Sequence, residues 1–588
     1  MKKNKTLNNT LYCIKYIWKI DAKYILLMIM IAVLTSIFNV INLSILRYIT
    51  DTLTKKETGH FLGVIGVMFL LSIAIAVING SASYLYEPLL QNRIVERIQK
   101  DIYTKAKKFD LEEFENESFY NLYYFVVENG KTGIINSVTL TMGVLTSVLS
   151  VLGISSIILQ YDLLIIACAF LGVLISCICS MKMKKMQYEY KMAAIPYNRE
   201  IDYIHRIFYL NDYIKEILTF CNSDVFEKKY VSAWDKMNST TLKWGKKIRQ
   251  QYIGIMLIDS ITEILILIYL GYNTIIGKMP LGEFIVLYTG IQQMMQQIKA
   301  VIASIPELYS NALDIDKYFE FMNMETQSGE KIIDRIDEIS FEKVSFSYGL
   351  EKEVLHDINL VIGKANKKIA LVGKNGSGKS TIIKLLMNLY GSYNGNILIN
   401  GCNLKDINKS EYRKRISVLY QDFRLFSMTV NQNVSMEYTG GDANVSEFLE
   451  KVRVYDKIQN LPQKNETILS KEFDEKGVYL SGGEQQKIAL ARSLFKETDV
   501  LILDEPFSSM DSISTQEILH IIEKELQDKI LILITHDLHN LSAMDEIFLL
   551  EGGRIVEEGT EKELLSKQGK YYQIWKSDNT EEVSNEEL

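Results

Sequence analysis

The apolar positions follow two different rules along the chain. Up to about residue 325 they gather into long unbroken runs. Beyond about residue 335, short β-rich runs alternate with segments of helical period. A membrane-spanning helix needs about 20 mainly apolar residues. Six segments meet that length, at 24–48, 61–85, 136–159, 161–182, 251–277 and 283–308. The links after the first, third and fifth are short, and those after the second and fourth are long and charged. The stretch Gln91 to Phe109 favours helix and is almost free of breakers. The spacing therefore predicts helices that run well beyond the bilayer and turn at short transverse elements near Phe114–Tyr123 and Arg199–Tyr213. A pair of independent cytoplasmic hairpins is the other reading. Ahead of the first run, Leu7, Leu11, Ile14 and Trp18 recur at helical spacing beside Lys15 and Lys19, as in a helix lying on a membrane surface.

Charge orients these spans. Lys2, Lys3, Lys5, Lys15, Lys19 and Lys23 crowd the N-terminus. The 86–135 link carries Arg93, Arg97, Lys100, Lys105, Lys107 and Lys108, and the 183–250 link is richer still. The opposite loops hold Lys55, Lys56 and Lys278. Positive residues stay inside, so a multi-pass protein of the plasma membrane is expected, with both termini and both long links cytoplasmic. The first apolar run lacks a small-residue cleavage site and is not a signal peptide. The net charge of -7 over 588 residues speaks against a nucleic-acid partner. The six cysteines have no zinc-site spacing and read as reduced packing residues.

The second half carries phosphate chemistry. Lys368-Ile-Ala-Leu-Val runs into Gly373, Lys374, Asn375, Gly376, Ser377, Gly378, Lys379, Ser380 and Thr381, and a helical pattern follows. This is G-x-x-x-x-G-K-S between a strand and a helix, the context in which the motif cradles phosphates. Backbone N–H groups and the helix N-terminus face the anion, Lys379 reaches the terminal phosphates, and the Ser380 hydroxyl suits Mg²⁺. Further on, Val500-Leu-Ile-Leu reads as a buried strand ending in Asp504 and Glu505. Asp504 is placed to hold Mg²⁺ and Glu505 to polarise a water.

Leu480-Ser481-Gly482-Gly483-Glu484 resembles the signature peptide of ATP-binding-cassette transporters, with Glu where Gln is commoner. Other parts follow in family order. Tyr348 is similar to the aromatic residue that stacks on adenine, and Gln421 to the glutamine that senses Mg²⁺ and contacts the membrane domain. Ser508-Ser-Met-Asp511 resembles the loop that crosses between paired domains, and His536 the switch histidine near the γ-phosphate. The membrane half resembles the exporter arrangement less specifically. Leu111 to Tyr120 is similar to a first coupling segment, and Tyr213 to Phe220 to the segment leaving the second.

The resemblance implies a multidomain membrane protein: an all-α six-helix transmembrane domain with long cytoplasmic extensions, then an α/β P-loop ATPase domain. The expected domains are an amphipathic elbow at 1–23, the transmembrane domain at 24–325, the nucleotide-binding domain at 335–575 and an acidic flexible tail at 576–588. It also implies that one chain does not complete an ATP site. Lys379 of one chain would share an ATP with Ser481 and Gly483 of the other, with Gly482 between them in the signature and Mg²⁺ held by Ser380, Gln421 and Asp504, and closure of the pair would turn a cavity from inside to outside. Glu505 and the signature are intact, so a homodimer of two working sites is expected. A heterodimer stays open. So do an importer or lipid flippase on the same architecture and an ATP-gated channel.

Cargo is addressed by the polar residues of the spans. Gln292, Gln293, Gln296 and Gln297 are i,i+4 pairs forming an amide face on the sixth span, either a surface for a polar or peptide-like substrate or interhelical contacts. Asp259 and Glu263 lie one turn apart on the fifth span, at a depth where Asp259 can pair with Lys299. Glu263 is then expected to be unpartnered and open to a cationic group of the substrate; a position of all three near the cytoplasmic edge is the alternative. Glu472 to Gly477 resembles the corresponding run of peptide-antibiotic exporters. About two dozen residues precede the first span, too few for a fused leader peptidase, so a peptide cargo would be exported without being cut. An amphipathic small molecule is the other cargo class.

Overall fold

In the computed structural model, all residues are described except 1, 56–57, 160–162, 221–222, 327–328, 350–351, 364–365, 439–444, 473, 509–514, 517, 522–528, 537, 539–540 and 578–588. The chain divides into two units. One comprises Met1–Ala106 and Asn121–Met324, the other Lys107–Tyr120 and Glu325–Leu588.

The first unit is helical. Helix α1 spans Lys2–Ile20 and α2 spans Ala22–Lys55. Helix α3, Thr58–Ser81, passes through a π turn at Ala82–Tyr86 into α4, Glu87–Ala106. Helix α6 spans Glu117–Ile158, α7 Leu163–Tyr209, α8 Asn211–Phe220, α9 Ser223–Ile275 and α10 Leu281–Asn323. Among the described residues, four helices are long and apolar enough to cross a membrane, namely Ala22–Leu53, Thr58–Ala106, Glu117–Ile158 and Ser223–Ile275. In α10 the four glutamines and Lys299 dilute the apolar character. The extended helices are as expected, but the second turn is later than the centre of its predicted window. Helix α7 accommodates Pro196 and continues to Tyr209 before the chain turns at Leu210. A prolyl ring removes one backbone donor, which an otherwise well-packed helix tolerates.

Helices α7 and α9 pack closely because of a small residue. A Cβ at Gly172 would lie 2.4 Å from the Thr262 side chain, the close backbone approach that drives helix association in lipid. Leu43, Ile154, Ile158, Val173, Ile266, Leu270 and Leu287 form the apolar centre. Helix α1 has two working faces, of which sequence periodicity showed one. Leu7, Leu11 and Trp18 are exposed, as a membrane-surface face requires, whereas Asn9, Cys13 and Ile17 are buried. Asn9 Nδ2 donates to Asp316 Oδ1 at 2.8 Å and to Ala312 O at 3.1 Å, and Tyr16 donates to Asp101 at 2.6 Å. Among the described residues Cys13, Cys177, Cys179 and Cys402 are free, and burial pushes the Cys13 thiol up to about 12.

The second unit is built on two sheets. The antiparallel sheet has the order β2-β1-β4-β5, with β1 at Ile339–Phe346, β2 at Leu355–Ile362, β4 at Asn394–Ile399 and β5 at Cys402–Asn403. The second sheet has the order β10-β9-β3-β8-β7-β6, with β3 at Lys368–Val372, β6 at Ile416–Leu419, β7 at Val500–Asp504, β8 at Ile530–Thr535, β9 at Glu546–Glu551 and β10 at Arg554–Gly559. Strands β9, β3, β8, β7 and β6 are parallel, and β10 closes the edge antiparallel. Every residue of β7 is buried, the mark of a parallel strand covered on both faces.

Residues 107–120 pack with this unit, and helix α5, Leu111–Glu115, lies within them. Asp110 Oδ2 is 2.5 Å from Lys409 Nζ, and its Oδ1 is 3.9 Å from Arg413 Nη2. The N–H of Leu111 donates to Leu389 O at 3.1 Å, Ser392 donates to Glu112 at 2.6 Å, and Tyr390 donates to Glu115 at 2.6 Å. Phe119 stacks edge-on against Phe109 and Phe114, at 4.8 and 5.2 Å. The coupling segment expected here therefore has a receptor of two cations, two hydroxyls and a carbonyl.

Candidate functional site: a phosphate-binding edge

The adjacency of β3, β8, β7 and β6 brings together residues far apart in sequence. The loop after β3 begins at Gly373, Asp504 ends β7, His536 follows β8, and Gln421 lies two residues past the end of β6. All four positions lie at carboxyl ends of neighbouring parallel strands, the edge where open α/β sheets bind ligands. Pairing registers align Val372 with Thr535 and Asp504 with Ile534.

The phosphate loop needs its glycines. Gly373 has φ 150°, and a Cβ there would sit 2.3 Å from Leu550 O; Gly376 and Gly378 have φ 77° and 106°. Gly378 caps helix α11, Lys379–Leu386, in the left-handed region. Lys379 is 6% exposed, and its Nζ donates to Gly373 O at 2.6 Å and Lys374 O at 3.1 Å. Burial lowers its pKa, against the opposing pull of Glu505 and Asp504. Ser377 Oγ is buried with no hydrogen-bond partner. Lys374, Asn375, Gly376 and Ser377 line one wall of a cavity of about 210 Å³.

The acids sit opposite. Burial raises the pKa of Asp504, and the Ser380 hydroxyl hydrogen-bonded to it works the other way. Asp504 Oδ1 is buried and unpartnered. An orphaned carboxylate oxygen beside a serine hydroxyl is a donor set that fits a hard cation such as Mg²⁺. Glu505 holds a left-handed backbone, φ 47°, with its N–H donating to Ile534 O at 2.9 Å. Its carboxylate accepts from Gln421 Nε2 at 2.6 Å and lies 3.5 Å from His536 Nδ1. Thus Glu505, Gln421 and His536 form one cluster. On the phosphate loop, Thr381 Oγ1 lies 3.1 Å from the Tyr348 hydroxyl. The Tyr348 ring meets Phe346 and Tyr390 edge-on, at 4.9 and 5.4 Å.

Ser481 caps the helix Gly482–Phe495, and the odd residue of the signature has a local explanation. Glu484 Oε2 accepts from the Ser481 N–H at 3.0 Å while Ser481 Oγ accepts from the Glu484 N–H at 3.4 Å, a capping box. Burial would raise the Glu484 pKa, but these bonds and Lys457, 3.2 Å away, bring it below the usual range. A glutamine amide at this position would complete the same box, so Glu484→Gln, which gives up only the charge contact with Lys457, is expected to lower the thermal unfolding midpoint less than removal of the whole side chain. Glu484→Ala should cost about 1 kcal/mol, read as a lower midpoint. Asp511 lies outside the described residues.

In the membrane unit, Lys299 Nζ lies 2.8 Å from Asp259 Oδ2, the pair expected from equal depth. Glu263 departs from expectation, because it is not left without a partner. Its Oε1 accepts from Tyr288 Oη at 2.7 Å and from Gln292 Nε2. The turn joining α9 to α10 places Tyr288 opposite Glu263, a neighbour that α9 alone does not disclose. Gln293 Oε1 is buried and unpartnered, Gln296 is exposed and Gln297 half-buried.

Residues 355–508 match the ABC transporter family. The chain is 27% identical over 582 residues to the subtilin transport ATP-binding protein SpaT of Bacillus subtilis, covering 96% of this chain and 93% of that one. It is 30% identical to the ATP-dependent lipid A-core flippase of Salmonella typhimurium, over 62% of each chain. It is 29% identical to the mitochondrial iron-sulfur clusters transporter ATM1 of Candida glabrata, over 63% of this chain and 52% of that one. In fold it resembles a bacterial Atm1-family ABC exporter with ATP bound, with a TM-score of 0.81 and 20% identity over 95% of this chain and 98% of that chain. With these likenesses, the long apolar helices and the P-loop sheet support an exporter-type half-transporter of the ATP-binding-cassette family, a multi-pass membrane protein whose ATPase domain drives transport.

Proposed function

We propose that two copies of this chain form an exporter for a cationic, peptide-like cargo, with both termini in the cytoplasm. The observation that carries the cargo class is the cluster around Glu263. Glu263 lies 12 residues before the end of α9 at Ile275, or about 18 Å along the helix axis, deep in a hydrocarbon layer of about 30 Å. A carboxylate at that depth faces a wet cavity or the bundle interior rather than lipid. Asp259 and Lys299 neutralise each other one turn away, so the cluster keeps a net negative charge that a cationic group would complement. The amides of Gln292, Gln293, Gln296 and Gln297 offer hydrogen bonds suited to a peptide backbone. The whole-length likeness to a protein named for subtilin transport points the same way. The lipid flippase among the relatives supports a second reading, in which the same face receives a polar headgroup.

In the cytoplasmic unit, Ser380, Gln421 and Asp504 would hold Mg²⁺, which when bound neutralises phosphate charge during transfer. Gly373–Thr381 and Tyr348 bind the nucleotide, Glu505 accepts the proton of the attacking water, and His536 supports the γ-phosphate end. Ser481, Gly482, Gly483 and Asp511 serve the partner's ATP. Closure follows because ATP binds the paired state better than the open one.

The test is ATPase activity of the purified chain reconstituted alone in liposomes and titrated with cationic peptides, neutral peptides and lipid headgroup analogues. Stimulation by cationic peptides, lost in Glu263→Gln with basal hydrolysis retained, is the expected result. Equal stimulation of wild type and Glu263→Gln would remove Glu263 from the cargo site, and a chain inactive by itself would sink the homodimer.

A further inference from the structure

Tyr390 follows α11 and is 1% exposed. A buried tyrosine keeps its hydroxyl only at the cost of finding it a partner, and here the partner is Glu115 of α5, at 2.6 Å. Burial, then the bond to Glu115, raises the Tyr390 pKa, which keeps the hydroxyl a donor. The Tyr390 ring packs edge-on to Tyr348 at 5.4 Å and to Phe346 at 5.4 Å. Lys384 Nζ stands over both tyrosines, 5.3 Å from the Tyr348 centroid and 6.0 Å from that of Tyr390. One side chain thus touches the aromatic wall beside the phosphate loop with its ring and the coupling segment with its hydroxyl. Its neighbours Leu389 and Ser392 also bind α5, but through groups that do not reach Tyr348 in these contacts.

We propose that Tyr390 is a positioning residue for ATP: its hydrogen bond to Glu115 ties the seat of α5 to the orientation of Tyr348, so nucleotide affinity and the seating of α5 depend on each other. The inference rests on the reading of Tyr348 as the adenine contact. Coupling of this kind is reciprocal by thermodynamic necessity. If a seated α5 favours the Tyr348 geometry that binds adenine, bound adenine favours a seated α5 by the same factor. The physical carrier is a single hydrogen bond plus edge-to-face ring contacts, whose geometry a small displacement of Glu115 would disturb.

The experiment measures KM and kcat for ATP on the full-length reconstituted chain in wild type, Tyr390→Phe, Glu115→Ala, the double variant, Glu112→Ala and Tyr348→Ala; alanine is used because a glutamine would still accept the hydroxyl proton. Tyr390→Phe keeps the ring and its packing, so folding is preserved. Each of the two single variants of the tie is expected to raise KM roughly five-fold or more, with kcat changed less than about two-fold. The double variant should be no worse than either single one, because both remove the same bond. Glu112→Ala, which removes the parallel bond to Ser392 but leaves the Tyr390 tie in place, should raise KM less than either. Unchanged KM in Tyr390→Phe and Glu115→Ala, or effects that multiply in the double variant, would overturn the proposal. Tyr348→Ala separates the two layers. A raised KM there with silent Tyr390→Phe and Glu115→Ala rejects the tie only, whereas a silent Tyr348→Ala rejects the adenine reading and the tie with it.

Discussion

Glu505→Gln should reduce kcat for ATP hydrolysis by about 100-fold or more while leaving nucleotide affinity within a few-fold of wild type. The carboxylate is 9% exposed, shared between Gln421 and His536, and held by a backbone in the left-handed region. Such a conformation costs of order 1 kcal/mol or more for a non-glycine residue and persists where the surroundings enforce it. The amide has nearly the same shape and can still accept a hydrogen bond from Gln421, so the site should stay assembled. It cannot take a proton, and a positioned general base contributes typically 10²–10⁴-fold. Steady-state turnover together with equilibrium nucleotide binding checks this. Parallel loss of both would assign Glu505 to holding the loop in shape instead of to the chemistry.

Asp110→Ala should lower the thermal unfolding midpoint of the purified chain by several degrees and weaken the dependence of ATPase rate on cargo. Asp110 and Lys409 are 14% and 11% exposed at 2.5 Å, so this is close to a buried ion pair. Removing one partner of such a pair deprives the other of its close counter-charge, at a cost of about 3 kcal/mol. Arg413, 3.9 Å from Asp110, loses the same carboxylate. Asp110→Ala combined with Lys409→Ala removes the ammonium as well and should recover part of the loss. A double variant whose midpoint equals the sum of the two single shifts would show that the pair contributes no coupling.

Much of the site was legible because its chemistry is local. The phosphate loop requires glycines at positive φ, a lysine and a hydroxyl in consecutive positions, and that requirement is written into residues 373–381. Strand β7 could be recognised by its run of apolar residues ending in acids. The unusual Glu484 was legible only as a departure from pattern; the capping box with Ser481 explains it from three-residue spacing, a signal present in the sequence and passed over. The receptor of α5 was not legible. Asp110 and Lys409 are separated by 299 residues, and Tyr390 and Glu115 by 275. Nothing in the periodicity of either segment encodes such a pairing.

Glu263 shows the same limit inside the membrane. Its position on α9 and its i,i+4 relation to Asp259 follow from the helical repeat, and the depth match of Asp259 with Lys299 follows from counting residues on either side of a short turn. Which side of α10 faces α9 depends on how side chains pack between helices, and that packing put Tyr288 and Gln292 against Glu263. The sequence by itself therefore determined the order of the apolar runs, the charge asymmetry between their long and short links, the phosphate loop and the acids near it, because each depends on neighbours a few residues away. The tertiary structure decided the partners of α5, the second face of α1 and the setting of Glu263. Those depend on long-range contacts, whose cost in chain entropy is met only when the whole unit folds.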